Sequence, residues 1–146
     1  MKYQFTYLLE IQFLGFRFHG WQKQLNVKTV HDMIDKTLSF VFENEQKYKT
    51  LGAGRTDAKV SASKYGLQLF VDFEIEINDF LRLFNQNTTA DIKILSIQKK
   101  PSTFNIIKSS KVKEYHYYFS FGEKPHPFSA PFLVGIHDDL NLELMK

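Results

Sequence analysis

A chain of 146 residues, 43% hydrophobic and 24% charged, has the balance of an ordinary globular domain and is long enough to bury a core without staples. It has no cysteine, which excludes disulfide scaffolds, thiolate catalysis and zinc-thiolate sites, and its formal charge of +3 is compatible with a polyanionic partner but too small to argue for one. The first residues carry no apolar block with a small-residue cleavage site, and no uncharged stretch approaches the roughly 18 apolar residues of a membrane span, so a cytoplasmic protein is expected.

In chain order, Tyr3, Phe5, Tyr7, Leu9, Ile11 and Phe13 alternate with Lys2, Gln4, Thr6, Glu10 and Gln12, which predicts a half-buried strand. Gly15 to Gln24 breaks the pattern and reads as a loop. Thr29 with Asp32 forms a capping box for a helix whose Val30, Met33, Ile34, Leu38, Val41 and Phe42 make one apolar stripe. Tyr48 to Leu51 reads as a short strand. A long alternation follows from Tyr65 through Leu67, Leu69, Val71, Phe73 and Ile75 to Ile77. Asn78 can cap a second helix carrying Phe80, Leu81 and Phe84, Ile92 to Ile97 suggests a strand that Pro101 ends, and Tyr115, Tyr117, Phe119 and Phe121 form a last alternation. That order predicts an α+β fold, an antiparallel sheet with helices on one face in the split-βαβ (RRM or ferredoxin-like) arrangement. Asp138-Asp139 and Asn141 look like a helix start that the chain leaves within about two turns, too short to gain much from packing. The expectation is one domain over residues 1–137, with 138–146 opening a helix that leads into an absent second half.

No phosphate-cradling Gly-Lys-Ser/Thr loop, His-Glu-x-x-His or Gly-x-Ser-x-Gly elbow is present, and the five histidines show no ligand spacing, so neither a metal nor a cofactor is expected. What stands out is Leu51-Gly52-Ala53-Gly54-Arg55-Thr56-Asp57-Ala58 between two strands. Two glycines permit a tight backbone, and an arginine and a carboxylate follow two residues apart, where the guanidinium could hold the carboxylate oriented. The plainer alternative is a turn in which Asp57 bonds backbone amides and Arg55 is a surface charge. Trp21 is either a core plug among solvated charges, or part of a loop whose Arg17, Lys23 and Lys28 contact RNA phosphates; Lys108, Lys111 and Lys113 form a second basic cluster beside Tyr115. Aromatics make 16% of the chain, and those from Tyr115 to Phe121 also suit a non-catalytic RRM-like RNA-binding module, although its Arg/Lys-Gly-Phe-x-Phe-Val pattern is missing.

Gly52-Ala53-Gly54-Arg55-Thr56-Asp57-Ala58 resembles the catalytic motif of the tRNA pseudouridine synthase A (TruA) family. Gly20-Trp21-Gln22-Lys23-Gln24 is similar to that family's Gly-Trp-Gln-x-Gln loop, Phe104 opens a stretch like its Phe-x-Ala-Arg segment, and Lys113-Glu114-Tyr115-His116-Tyr117 resembles its Arg-x-Tyr-x-Tyr strand. The resemblance runs along essentially the whole chain and covers only the first part of a family member. It implies a pseudouridine synthase half, acting without a cofactor on uridines around the anticodon stem-loop of tRNA, in a full-length homodimer. It implies Asp57 as the catalytic aspartate, Arg55 as its orienting partner and Tyr115 as the active-site tyrosine; Arg17, Trp21, Gln22, Lys23, Lys59 and Lys113 are the candidate RNA contacts. The chain departs from the family where Lys59 replaces a glycine, Ser61 a histidine, and Ile107 an arginine.

Overall fold

The computed structural model describes residues 3–44, 46–110 and 112–146; Lys2 of the first alternation and Lys111 of the second basic cluster lie outside them. It divides into two compact units, Met1–Lys111 and Val112–Lys146.

In the first unit, β1 (Phe5–Phe13), α1 (Val30–Val41), β2 (Tyr48–Gly52), β3 (Ala62–Val71), α2 (Ile77–Asn87) and β4 (Ile92–Lys100) alternate as the sequence predicts. The sheet runs β2-β3-β1-β4 with every neighbouring pair antiparallel. This is the split-βαβ order of a ferredoxin-like α+β fold. Pairing Tyr7 with Leu69, Leu9 with Leu67 and Ile11 with Tyr65 puts the apolar residues of both central strands on one face. Val30, Ile34 and Leu38 of α1 and Phe80 and Phe84 of α2 cover that face and complete the core. Thr29 caps α1, its hydroxyl accepting from Asp32 N at 3.4 Å.

Two local expectations need correction, and one element was not foreseen. The alternation from Tyr65 to Ile77 is not one strand: β3 stops at Val71 and Ile77 already opens α2. Phe73 meets Phe42 edge-on with ring centroids 5.1 Å apart, and Ile75 is buried, so the crossing segment needs apolar side chains although it is not a strand. The cap of α2 is Glu76, not Asn78; its carboxylate accepts from Asp79 N at 2.7 Å. Finally, a short α3 (Ile106–Ser109) follows Pro101. It is tied down by Gln68, a fully buried amide on the face of the sheet opposite the main core, which donates to Phe104 O at 2.8 Å and accepts from Ile106 N at 2.9 Å.

In the second unit, β5 (Phe119–Phe121) pairs in parallel with β6 (Val134–Ile136). The aromatic alternation is therefore strand only at its end. Tyr118 O accepts from Val134 N at 3.0 Å, but residues 112–117 have no ladder partner within this unit, and a strand does not persist without one. At the carboxyl end, Asn141 Oδ1 accepts from Glu143 N and Leu144 N and caps a turn over Leu142–Met145.

Replacing Gln68 with leucine strands the Ile106 N–H and the Phe104 carbonyl. Urea unfolding is expected to show a loss of about 1–3 kcal/mol; an unchanged midpoint would mean the amide contributes no net stability.

Candidate active site

β2 ends at Gly52, and the chain from Ala53 to Ser61 returns to β3 without regular structure. This segment is held by the one that follows β1. Trp21 N donates to Thr56 O at 3.0 Å, Lys59 N to Phe18 O at 3.1 Å, and Gly15 N to Ser61 Oγ at 2.9 Å. The approach demands two glycines. A Cβ on Gly15 would stand 2.0 Å from Val60 O, and Gly20, at φ +86°, would place one 2.6 Å from Thr56 O. Phe18 and Trp21 anchor the clamping segment in the core, both almost fully buried.

Held in this way, Arg55 and Asp57 are exposed. They lie at a depression of about 360 Å³ whose other walls are His19, Gln22, Gln24, Thr56 and Ala58. The two side chains form no ion pair with each other among the described residues; in water such a pair gains little to offset the entropy of fixing two side chains. The carboxylate is thus presented to solvent by the backbone. Asp57 O accepts from Val60 N at 3.3 Å, and Lys59 takes up φ +65°, the left-handed conformation for which its glycine counterpart in the family is suited. Ser61, standing where the family has a histidine, is a clamp residue through Gly15.

The basic and aromatic residues of the loop fall into two groups. Trp21 is spent on packing: its ring stacks on His31 at 5.2 Å and lies 4.2 Å from Tyr65, so it offers no free face to a base. Arg17 grips the buried carboxylate of Asp91 at 2.7 Å and 3.1 Å, Lys23 pairs with Asp35, and Lys28 sits 4.9 Å over the Phe18 ring. Gln22 and Lys59 are exposed. Tyr115 and Lys113 belong to the second unit, where both are exposed, Tyr115 to 79%. The sequence reading does not single out His31 and Tyr65, which pack on Trp21, or Asp91, which pairs with Arg17. Tyr65 was read only as one more apolar residue in an alternation; its hydroxyl was the available signal. His31 Nε2 lies 2.8 Å from Thr50 Oγ1, and burial foremost, then Lys23, pushes its pKa below the ordinary 6.5 against the opposing pull of Asp35 and Asp32.

The geometry is that of an exposed carboxylate on a backbone-clamped loop at the edge of a split-βαβ sheet, and comparison with known proteins names the lineage. No family model matches the chain. Curated proteins named tRNA pseudouridine synthase A do match. The one from Hydrogenobaculum sp. is 32% identical over 131 residues, 87% of this chain and 51% of the relative. That from Aquifex aeolicus is 31% identical over 141 residues, 97% and 58%, and that from Thermodesulfovibrio yellowstonii 30% over 138 residues, 94% and 54%. The chain is a divergent TruA-related protein. It spans about half the length of the curated relatives it matches. A solved structure, the hypothetical protein ORF119 of Sulfolobus islandicus rod-shaped virus 1, overlaps at a TM-score of 0.38 and 14% identity, over 73% of this chain and 76% of that one, too little to bear on fold or function.

Two stability measurements check the site's local physics. Lys59→Gly relieves the left-handed strain and is expected to raise urea stability by about 1 kcal/mol; a fall would show that the lysine side chain contributes more than the strain costs. Because His31 binds its proton more weakly in the folded chain, the unfolded state takes up more protons below about pH 6.5. Stability is therefore complete above that pH and lost as pH falls, and the loss between pH 7 and pH 5 should be shallower in His31→Asn. Equal slopes would contradict it.

Proposed function

We propose that this chain carries the reactive aspartate of a tRNA pseudouridine synthase, isomerising uridine to pseudouridine in the anticodon stem-loop region of tRNA. The observation that carries the reading is Asp57, an exposed carboxylate within the Gly-Arg-Thr-Asp-Ala run of a chain whose relatives are named for that activity. Within this reading the site works on a uridine lifted out of its stack, since a carboxylate cannot reach a stacked nucleotide. Asp57 attacks the sugar or base as a nucleophile, or stabilises a cationic sugar while the base is detached. The bond from C1′ to N1 breaks, the uracil turns, and C5 joins C1′. The C5 proton leaves and N1 gains one, so the isomerisation balances without a cofactor.

Arg55, unpaired with Asp57, is free to orient the carboxylate once RNA excludes water, and to fill the space the base vacates. The exposed ring of Tyr115 is free to stack on the uracil, with its hydroxyl as the candidate base for the C5 proton. Gln22, Lys59 and Lys113 are exposed and suited to RNA, and Lys59 adds a positive charge two residues from Asp57. Arg17 and Lys23 would have to share their charge with Asp91 and Asp35. The full-length protein acts as a homodimer in the cytoplasm in this reading.

The test is Asp57→Asn. RNA affinity is expected to stay within about twofold, while pseudouridine formation, read as carbodiimide-dependent reverse-transcription stops, falls at least about a thousandfold. Affinity that collapses on Tyr117→Ala but ignores Asp57 would instead indicate a non-catalytic RNA-binding module.

A further inference from the structure

The hydroxyl of Tyr65 is the one side-chain group, among the described residues, that hydrogen-bonds the backbone between Gly52 and Asp57. It donates to Gly54 O at 2.5 Å and accepts from Gly54 N at 3.3 Å, engaging both polar groups of the residue that precedes Arg55. The Tyr65 ring is 4.2 Å from Trp21 and meets Phe13 edge-on at 5.7 Å. Trp21 N in turn holds Thr56 O, the residue that precedes Asp57. One buried aromatic pair therefore brackets the site from both sides, through Gly54 before the arginine and through Thr56 before the aspartate. Arg55 spans the two anchors and Asp57 follows the second.

We propose that Tyr65 is a positioning residue, whose hydroxyl fixes Gly54 and so sets the direction in which Arg55 and Asp57 leave the sheet. This rests on the reading of Asp57 as the reactive carboxylate. The hydroxyl is well suited to the task. Burial pushes its pKa up to about 12, so it keeps its proton, and its donor role, throughout the working pH range. Packing alone does not explain it, because a phenylalanine would fill the same space beside Trp21 and Phe13 while leaving the Gly54 carbonyl and amide without their partner. A core position chosen for bulk has no need of the oxygen.

Tyr65→Phe removes the hydroxyl and keeps the ring; Phe13→Leu loosens the same cluster and keeps the hydroxyl. In Tyr65→Phe the backbone amide order parameters of Arg55 and Asp57 are expected to drop from rigid values near about 0.85 to below about 0.6, with those of Ile34 and Leu69 unchanged. Release of tritium from uracil C5 of labelled tRNA is expected to lose about tenfold or more in kcat with KM within about twofold. Phe13→Leu is expected to lower the melting temperature while leaving kcat unchanged. Unchanged order parameters at Arg55 and Asp57, an unchanged kcat in Tyr65→Phe, or an equal loss of kcat in Phe13→Leu would each overturn the proposal. If wild type releases no tritium, or Asp57→Ala releases it as fast, the functional reading fails, and the order parameters alone decide whether Tyr65 positions the loop.

Discussion

The structure around Asp57 depends on one contact between two connecting segments, one of which begins with a 3-10 turn over Gly15–Arg17. Residues Gly15 to Trp21, leaving β1, lie along Thr56 to Ser61, entering β3, and three hydrogen bonds join them. Each contributes only about 1 kcal/mol net. Their importance is geometric: without them the connection between β2 and β3 would be held, between its ends, only by the Tyr65 hydroxyl at Gly54, and the stretch from Arg55 to Ser61 with its carboxylate would sample many directions. The clamp works because Phe18 and Trp21 are sunk in the core beside it, so the backbone that grips Thr56 and Lys59 is itself immobilised by packing. The two glycines are what let the strands of the clamp approach closely enough.

Burial and exposure are divided accordingly. Phe18 and Trp21 of the clamping loop face inward; on the core side Tyr7 Oη accepts from Ile75 N at 3.0 Å, whereas the Thr56 hydroxyl, between Arg55 and Asp57, is buried without a hydrogen-bond partner among the described residues. The groups able to meet a ligand stand on the loop surface, the arrangement expected when a rigid sheet carries a reactive loop. The departures from the family pattern fit the same division. Ser61 gives up an imidazole and gains a hydrogen bond that holds Gly15, while Lys59 accepts backbone strain and leaves an exposed cation at the rim. Both changes touch the support and the charge around Asp57 without touching its exposure.

Much of the fold could be read in advance because strands and helices announce themselves by period. The alternation of β1 and the Thr29 cap of α1 are local signals, and the register that pairs β1 with β3 follows from keeping both apolar faces together. The run through Phe73 and Ile75 misled because a buried connection needs the same residues as a strand. Gln68 and α3 were missed because a polar residue in mid-strand reads as solvent-facing unless the segment that covers it, some forty positions on, is known. In the site, the place of Arg55 and Asp57 just after two glycines left a plain turn as the alternative, and only the resemblance of the run singled them out. Trp21 was not: an aromatic among basic residues has the same sequence signature whether it stacks on a base or on His31, and only the packing distinguishes them. Tyr65 carried its information in a single oxygen atom.

We have proposed that the clamped loop presents Asp57 as a reactive carboxylate for uridine isomerisation. Tritium release from tRNA labelled at uracil C5, followed for this chain and for Asp57→Ala side by side, addresses it most directly. Release by the wild-type chain is expected, with none above background from the variant. Release that proceeds equally with alanine at position 57 would contradict it.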